Sequence, residues 1–318
     1  MIRPKAPPPF EYFASRRPPQ GGSAMAVELG DLRIILEGLA EDLSRRLLDR
    51  YAPYSSADEP GMEALSAAPA PFEVPDAEAG VLRVRLGIEE KEYFIEPPPV
   101  PEDNPVLIAA EGSRVRYLGY RLAGWFEARG GRGDILLARG NYEPDLRAIE
   151  NYVRVATAWM AAMRGGALVH AASAVHHGRG YLFFGPSGAG KSTLSAANSR
   201  ARIVSDDLSL VLPGPVGRLD LIGSPFRGTY TGGPAVVGRF PLVHGFRIVK
   251  DTVAAVRSVP RVRAFAELVA NLPFLVDSFP SQPALFARFE DVFAPLPLSH
   301  LHFRKDDTYW EAIEAAGL

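Results

Sequence analysis

The sequence predicts an α/β protein in two parts, a small α+β domain over residues 25–142 and a nucleotide-binding α/β domain over 143–318. Three observations carry this. The stretch "YLFFGPSGAGKSTL" (181–194) runs from an apolar strand into a glycine-rich loop, a lysine, two hydroxyls and a helix start. Asp206-Asp207 closes the next strand candidate, only a short helix later. Upstream, five short apolar runs between residues 81 and 138 have the length and spacing of strands in a small antiparallel sheet.

Residues 1–24 are rich in Pro, Gly and Arg and predict a tail without fixed structure, with Met25 as an alternative start. "DLRIILEGLAEDLSRRLLDRY" (31–51) carries Leu39, Leu43 and Leu47 at helical spacing and predicts a helix. Residues 55–80 form a linker-like interruption. The strand candidates follow at 81–86, 92–96, 106–110, 114–118 and 134–138. Leu146, Ile149, Val153, Ala156, Met160 and Met163 share one face of a long helix over 143–166, with Gly165 as its stop signal. Then come two strands joined at "HHGRG", the loop, a helix over about 191–199 and the strand "RIVS". Helices are expected over 262–279 and 308–316, and a strand over 299–303.

The chain of 318 residues is 47% hydrophobic, enough to bury a core in each of two domains. A net charge of −2 gives no footprint for nucleic acid. The absence of cysteine excludes disulfides and thiolate metal sites. With no apolar run long enough for a membrane span, a cytoplasmic protein without membrane partners is expected. Only five residues are lysine: Lys5, Lys91, Lys191, Lys250 and Lys305. The one inside the loop is therefore not there through abundance.

Gly185, Pro186, Ser187, Gly188, Ala189, Gly190, Lys191 and Ser192 fit G-x-x-x-x-G-K-[ST] throughout. Glycines let successive backbone N–H groups converge on phosphate oxygens. Lys191 would bind β- and γ-phosphates of ATP, the Ser192 hydroxyl would reach Mg²⁺, and Thr193 continues the phosphate-facing turn. A strand, a crossover helix of about ten residues (roughly 15 Å at 1.5 Å per residue) and a parallel returning strand bring Asp206 and Asp207 to the phosphate-bearing edge. One carboxylate would hold Mg²⁺ and the other would accept a proton from an attacking hydroxyl; a plain turn-capping pair is the alternative. His170, on the strand before the hairpin, reads either as a packed core histidine or as a phosphate-facing group.

The block 169–211, forty-three residues including His170, the loop and "SDD", resembles HPr kinase/phosphorylase and ATP-dependent phosphoenolpyruvate carboxykinase. Both place a histidine about fifteen residues before the loop and an Asp-Asp pair unusually soon after it. The resemblance implies a carboxykinase-like P-loop core like the HPr kinase C-terminal domain. On the matching positions, Lys191 would bind phosphates, Ser192 and Asp207 would stand at the metal, Asp206 would be the base, and His170 would face the phosphates or a second metal. In "LIGSPFRGTYTGG" (221–233), Arg227 would touch phosphate or acceptor. The chain lacks the length and the oxaloacetate-binding residues of a carboxykinase, and neither the acceptor-binding segment nor the N-terminal domain of HPr kinases is identifiable. The arrangement is most similar to HPr-kinase-related proteins, including lasso-peptide kinases. The implied activity is an ATP- and Mg²⁺-dependent kinase acting on Ser or Thr of a protein or peptide, in a chain that could form homo-oligomers. A small-molecule kinase and a non-catalytic nucleotide-binding module remain open.

Overall fold

A computed structural model describes residues 6–16, 22–58, 80–98 and 105–318. It is a mixed α/β structure with two large sheets, and the chain divides into two compact units, Met1–Met160 and Ala161–Leu318.

The first unit is built on one eight-stranded sheet. Its elements are α1 (Phe10–Ala14), β1 (Ser23–Leu29), β2 (Leu32–Leu39), α2 (Glu41–Tyr51), β3 (Ser55–Asp58), β4 (Val81–Glu89), β5 (Leu107–Glu111), β6 (Arg114–Leu118), β7 (Leu122–Glu127), β8 (Gly131–Ala138) and α3 (Asp145–Met163), whose end passes the unit boundary. The strand order is β3-β1-β2-β4-β8-β7-β6-β5. The sheet is mixed rather than antiparallel, because β2–β4 and β4–β8 run parallel.

Several sequence expectations are corrected here. The helix expected over 31–51 is a strand followed by a helix. Consecutive β-branched Ile34 and Ile35 favour extended backbone, and β2 pairs with β1 across the Gly30-Asp31 turn. The helical spacing of Leu43, Leu47 and Tyr51 belongs to α2 alone. The tail is ordered in part: α1 buries Phe13 among Ile95, Leu118, Tyr120, Ala123 and Leu136. The aromatic residues of "FEYF" supply the apolar area that the Pro/Gly composition hides. Residues 1–5 and 17–21 of that tail, and 59–79 of the linker-like stretch, lie outside the described residues. Residues 92–96 form no strand; Phe94 and Ile95 donate their amides to the Tyr120 carbonyl. Arg121, 6% exposed, fixes the start of α3 by donating to the carbonyls of Ala138 and Glu143 and to Asp145.

The second unit contains β9 (Ala167–His176), β10 (Arg179–Phe184), α4 (Lys191–Ala197), β11 (Arg202–Ser205), β12 (Leu208–Pro213), β13 (Leu219–Ile222), β14 (Arg239–Lys250), β15 (Ala255–Arg257), α5 (Arg261–Val269), α6 (Pro283–Phe293), β16 (Leu298–Phe303) and α7 (Tyr309–Ala315). Strands β10, β9, β12, β13 and β14 pair in turn, and β14 returns to β10, closing a five-strand ring. The helix expected over 262–279 ends at Val269; a 3₁₀ turn, Val276–Ser281, comes after it. Pro273 lacks the N–H a helix needs, and Phe274 takes a positive φ of 69°.

What positions the loop is the core beneath it. Phe183, Phe246, Tyr309 and Trp310 pack into one aromatic cluster with Leu194, Ile203 and Phe303. Phe183 stacks on Phe246 and meets Tyr309 and Trp310 edge to face, and such pairs contribute about 0.5–1.5 kcal/mol each beyond area burial. Trp310 Nε1 donates to Asn198 Oδ1 at 2.9 Å, and Asn198 also bonds both backbone groups of Ala201. That side chain fixes the turn from α4 into β11. Among the described residues, no helix is long and apolar enough to cross a membrane.

Candidate functional site

The buried run Tyr181–Phe184 brings β10 to its C-terminal edge, where the loop begins. Pro186, Ser187 and Gly188 are exposed there, while Gly185 is buried beneath them. Gly188 takes φ 75° with no heavy atom near its missing Cβ, so its requirement is purely conformational. Gly190, at φ 110°, has a second constraint. A Cβ there would stand 2.7 Å from the Phe303 ring.

Helix α4 starts at Lys191 with no side-chain cap. Lys191 is 8% exposed, and its Nζ donates to the Gly185 carbonyl at 2.9 Å, tying the loop's end to its beginning. Burial lowers its pKa, and the nearby Asp207 carboxylate pushes it back up. Ser192 is exposed and Thr193 half-buried on the same turn.

Strand β9 lies between β10 and the β11–β12 pair, and all three neighbours run antiparallel to it. Strands β10 and β11 are therefore parallel in direction, with β9 between them, and both end on the same edge. Ser205 shapes the turn out of β11. Its hydroxyl donates to the Phe226 carbonyl at 2.8 Å and accepts the Asp207 and Leu208 amides at 3.1 Å. The turn splays the two aspartates apart.

Asp206 is 3% exposed and spends both oxygens on backbone. Oδ1 accepts the Gly228 amide at 2.7 Å, and Oδ2 accepts those of Thr229 and Tyr230 at 3.0 Å. The role of base expected of Asp206 does not fit this geometry, because its lone pairs face three amides of its own chain. Asp207 turns the other way. Its Oδ1 lies 3.6 Å from His170 Nε2, with side chains 31% and 41% exposed. His170 is held at that level by its β9 pairing and by its amide, which donates to the Asn271 carbonyl at 2.8 Å. Burial, then the neighbouring Lys191 charge, lower the His170 pKa; Asp207 opposes them.

Arg227 also departs from expectation. Its guanidinium donates to the carbonyls of Ile203, Val204, Gly233 and Pro234 at 2.6–3.2 Å. It pins the 227–234 loop to β11, spending its donors on four carbonyls of its own chain. The structure thus brings together Gly185, Ser187, Gly188, Ala189, Gly190, Lys191, Ser192, Thr193, Asp207 and His170. Asp206 and Arg227 stand behind them as scaffolding.

Sequence reasoning missed Ser205, although a serine two residues before the second aspartate is the signal for this kind of turn. It also missed a pocket on the other flank of the loop. Thr193, Lys250, Asp251, Thr252, Phe303, Arg304 and Lys305 line an open volume of about 370 Å³. The rarity of lysine was the available clue, since three of the five lie at this edge. Among the described residues, no three His, Asp or Glu side chains stand together as a metal-ligand group. Oxygen donors beside the loop include the Ser192 hydroxyl and the Asp207 carboxylate. Comparison with known proteins finds no matching family model and no matching curated protein.

Proposed function

We propose that the chain is an ATP- and Mg²⁺-dependent kinase with a carboxykinase-like core of the HPr kinase kind. It transfers the terminal phosphoryl group to a hydroxyl, that of Ser or Thr in a protein or peptide. The observation that carries this reading is the juxtaposition of the Lys191 loop with the Asp207–His170 pair at 3.6 Å. A nucleotide switch needs the loop; a paired acid and imidazole at its mouth suits chemistry on a second substrate.

In this reading the loop amides and Lys191 hold the β- and γ-phosphates. Ser192 and Asp207 would hold Mg²⁺, a hard cation suited to oxygen donors, which would supply charge neutralisation at the phosphate oxygens. His170 serves as the base, since Asp206 is engaged by backbone. As the acceptor oxygen bonds to the γ-phosphorus, the bond to the β,γ-bridging oxygen breaks and ADP departs. The hydroxyl proton passes to the His170 ring. Splaying by Ser205 and anchoring of Asp206 serve to aim Asp207 at the loop.

The test is phosphate accounting with γ-labelled ATP and Mg²⁺, with and without a lysate of the source organism. Label is followed into protein, peptide, metabolite and free phosphate. The expected result is labelled protein or peptide that disappears in His170→Gln and Asp207→Asn. Label found only in a metabolite would replace the acceptor class. Label remaining on ATP, or released solely as phosphate, would overturn the kinase reading.

A further inference from the structure

The pocket beside the loop gives a bound nucleotide a direction. Strand β10 has β9 on one flank and β14 on the other, and β16 lies beyond β14. Asp207 and His170 occupy the β9 flank. The pocket lies on the opposite flank. It is formed where β14 and β16, both parallel to β10, run out past the loop at Lys250 and Phe303. The carboxyl ends of β10, β14 and β16, a parallel run within the sheet, therefore share one edge with the loop. Thr193, in the first turn of α4 directly after Lys191 and Ser192, stands in the pocket wall and joins it to the loop's end.

We propose that this pocket holds the nucleoside of the triphosphate, so that the nucleotide lies across the loop with its γ-phosphate at Asp207–His170 and its base between the ends of β14 and β16. The inference rests on the loop's holding the phosphates. The pocket lining carries an acceptor for hydroxyls, Asp251, beside three cations, Lys250, Arg304 and Lys305. Asp251 stands in the wall, held by the His302 ring at 2.7 Å and by the Thr252 amide at 2.6 Å. A carboxylate fixed in this way repels phosphate and accepts hydrogen bonds from ribose hydroxyls, as an acidic residue does in dinucleotide sites. Arg304 is exposed at the rim, its Nε paired with Asp306, and the face of its planar guanidinium is open for a base to stack on. Lys250 and Lys305, also exposed, flank the path from the α-phosphate. The volume, about 370 Å³, falls within the span of roughly 300–1,000 Å³ usual for small-ligand sites. Phe303 is buried and lies under Gly190, making the floor shared by loop and pocket.

Calorimetric binding of ATP, AMP and inorganic tripolyphosphate to the full chain tests this, with Arg304→Ala and Thr252→Trp as variants at exposed positions. Arg304→Ala is expected to weaken ATP and AMP about tenfold while tripolyphosphate stays within twofold. Thr252→Trp, which fills the pocket, is expected to do the same more severely. Unchanged melting temperatures show that both variants fold. Equal weakening of ATP and tripolyphosphate would make the pocket a phosphate site, and unchanged ATP binding in both variants would empty it of any role; either overturns the inference. If the wild-type chain binds tripolyphosphate as tightly as ATP, the nucleoside inference fails and the loop reading stands. Binding of neither would sink both.

Discussion

Two irregular, glycine-rich segments of the second unit invite comparison, the loop 185–192 and the loop 223–238. Both come after a buried strand, and both carry the residue types from which phosphate sites are built. The first leaves Ser187, Gly188 and Ser192 exposed and starts a helix without a side-chain cap. The second is closed on itself. Three of its amides go to Asp206, and two of its carbonyls, with two from β11, go to Arg227. The difference teaches that a charged residue beside a glycine-rich turn can serve a ligand only with the donors or lone pairs its own chain leaves over. The Lys191 ammonium, with three donors, gives one strong bond to Gly185, while the Asp206 carboxylate takes three amides. Buried carboxylates and guanidiniums are satisfied somewhere, and the nearest backbone is usually the first claimant.

The sharpest way to break this contrast is to neutralise each aspartate in turn. Asp207→Asn is expected to keep the fold, shifting the melting temperature by no more than about 2 °C, while phosphoryl transfer falls on the order of 10²–10⁴-fold. Lys191→Ala is expected to lose most ATP affinity in calorimetry, with the melting temperature showing that the chain still folds. Asp206→Asn is expected to act the other way. An amide offers one acceptor and places an NH₂ against donors, at a cost of about 3 kcal/mol that thermal or urea unfolding would register. If instead Asp206→Asn melts like wild type and loses transfer selectively, the two loops have been assigned backwards. Arg227→Lys belongs next. A single ammonium cannot span four carbonyls, so about 1–2 kcal/mol of stability is expected to go, with ATP affinity within about threefold.

How much of this is legible without the structure differs between the same two loops. The phosphate loop is readable residue by residue, because its conformation is demanded locally by Gly188 and Gly190 and its function by Lys191. The level of His170 and Asp207 is readable too, since a parallel return fixes which edge both reach. The division of labour within "SDD" is not. It depends on where residues 228–230 come to rest, some twenty positions later, and no local pattern carries that. The pocket is hidden for the same reason, as Lys250 and Lys305 meet only through the pairing of β14 with β16. In the first unit, Leu39, Leu43 and Leu47 imitate one long helix because β2 runs directly into α2, and period alone does not mark a change of element.

The smallest expected effect separates the body that carries both loops from the loops themselves. His244 lies on β14, 4% exposed, stacked on Phe246 with its Nε2 at 3.1 Å from the Ser299 hydroxyl. Burial lowers its pKa from 6.5 to about 4. The unfolded chain therefore binds a proton that the folded chain refuses between those values, and stability falls as pH drops through that window. Over pH 7 to 5 the loss is expected to be about 1–2 kcal/mol. The effect is absent above pH 7, where both states are neutral, and levels off below about 4, where both are charged. His244→Gln removes the titration, so its urea midpoint is expected to vary less with pH than the wild type's. ATP affinity per folded molecule at pH 7 is expected to be the same in both. A changed affinity would mean that strain at β14 reaches the loop through the parallel β10–β14 pairing, and the body and the loops would then have to be treated as one site.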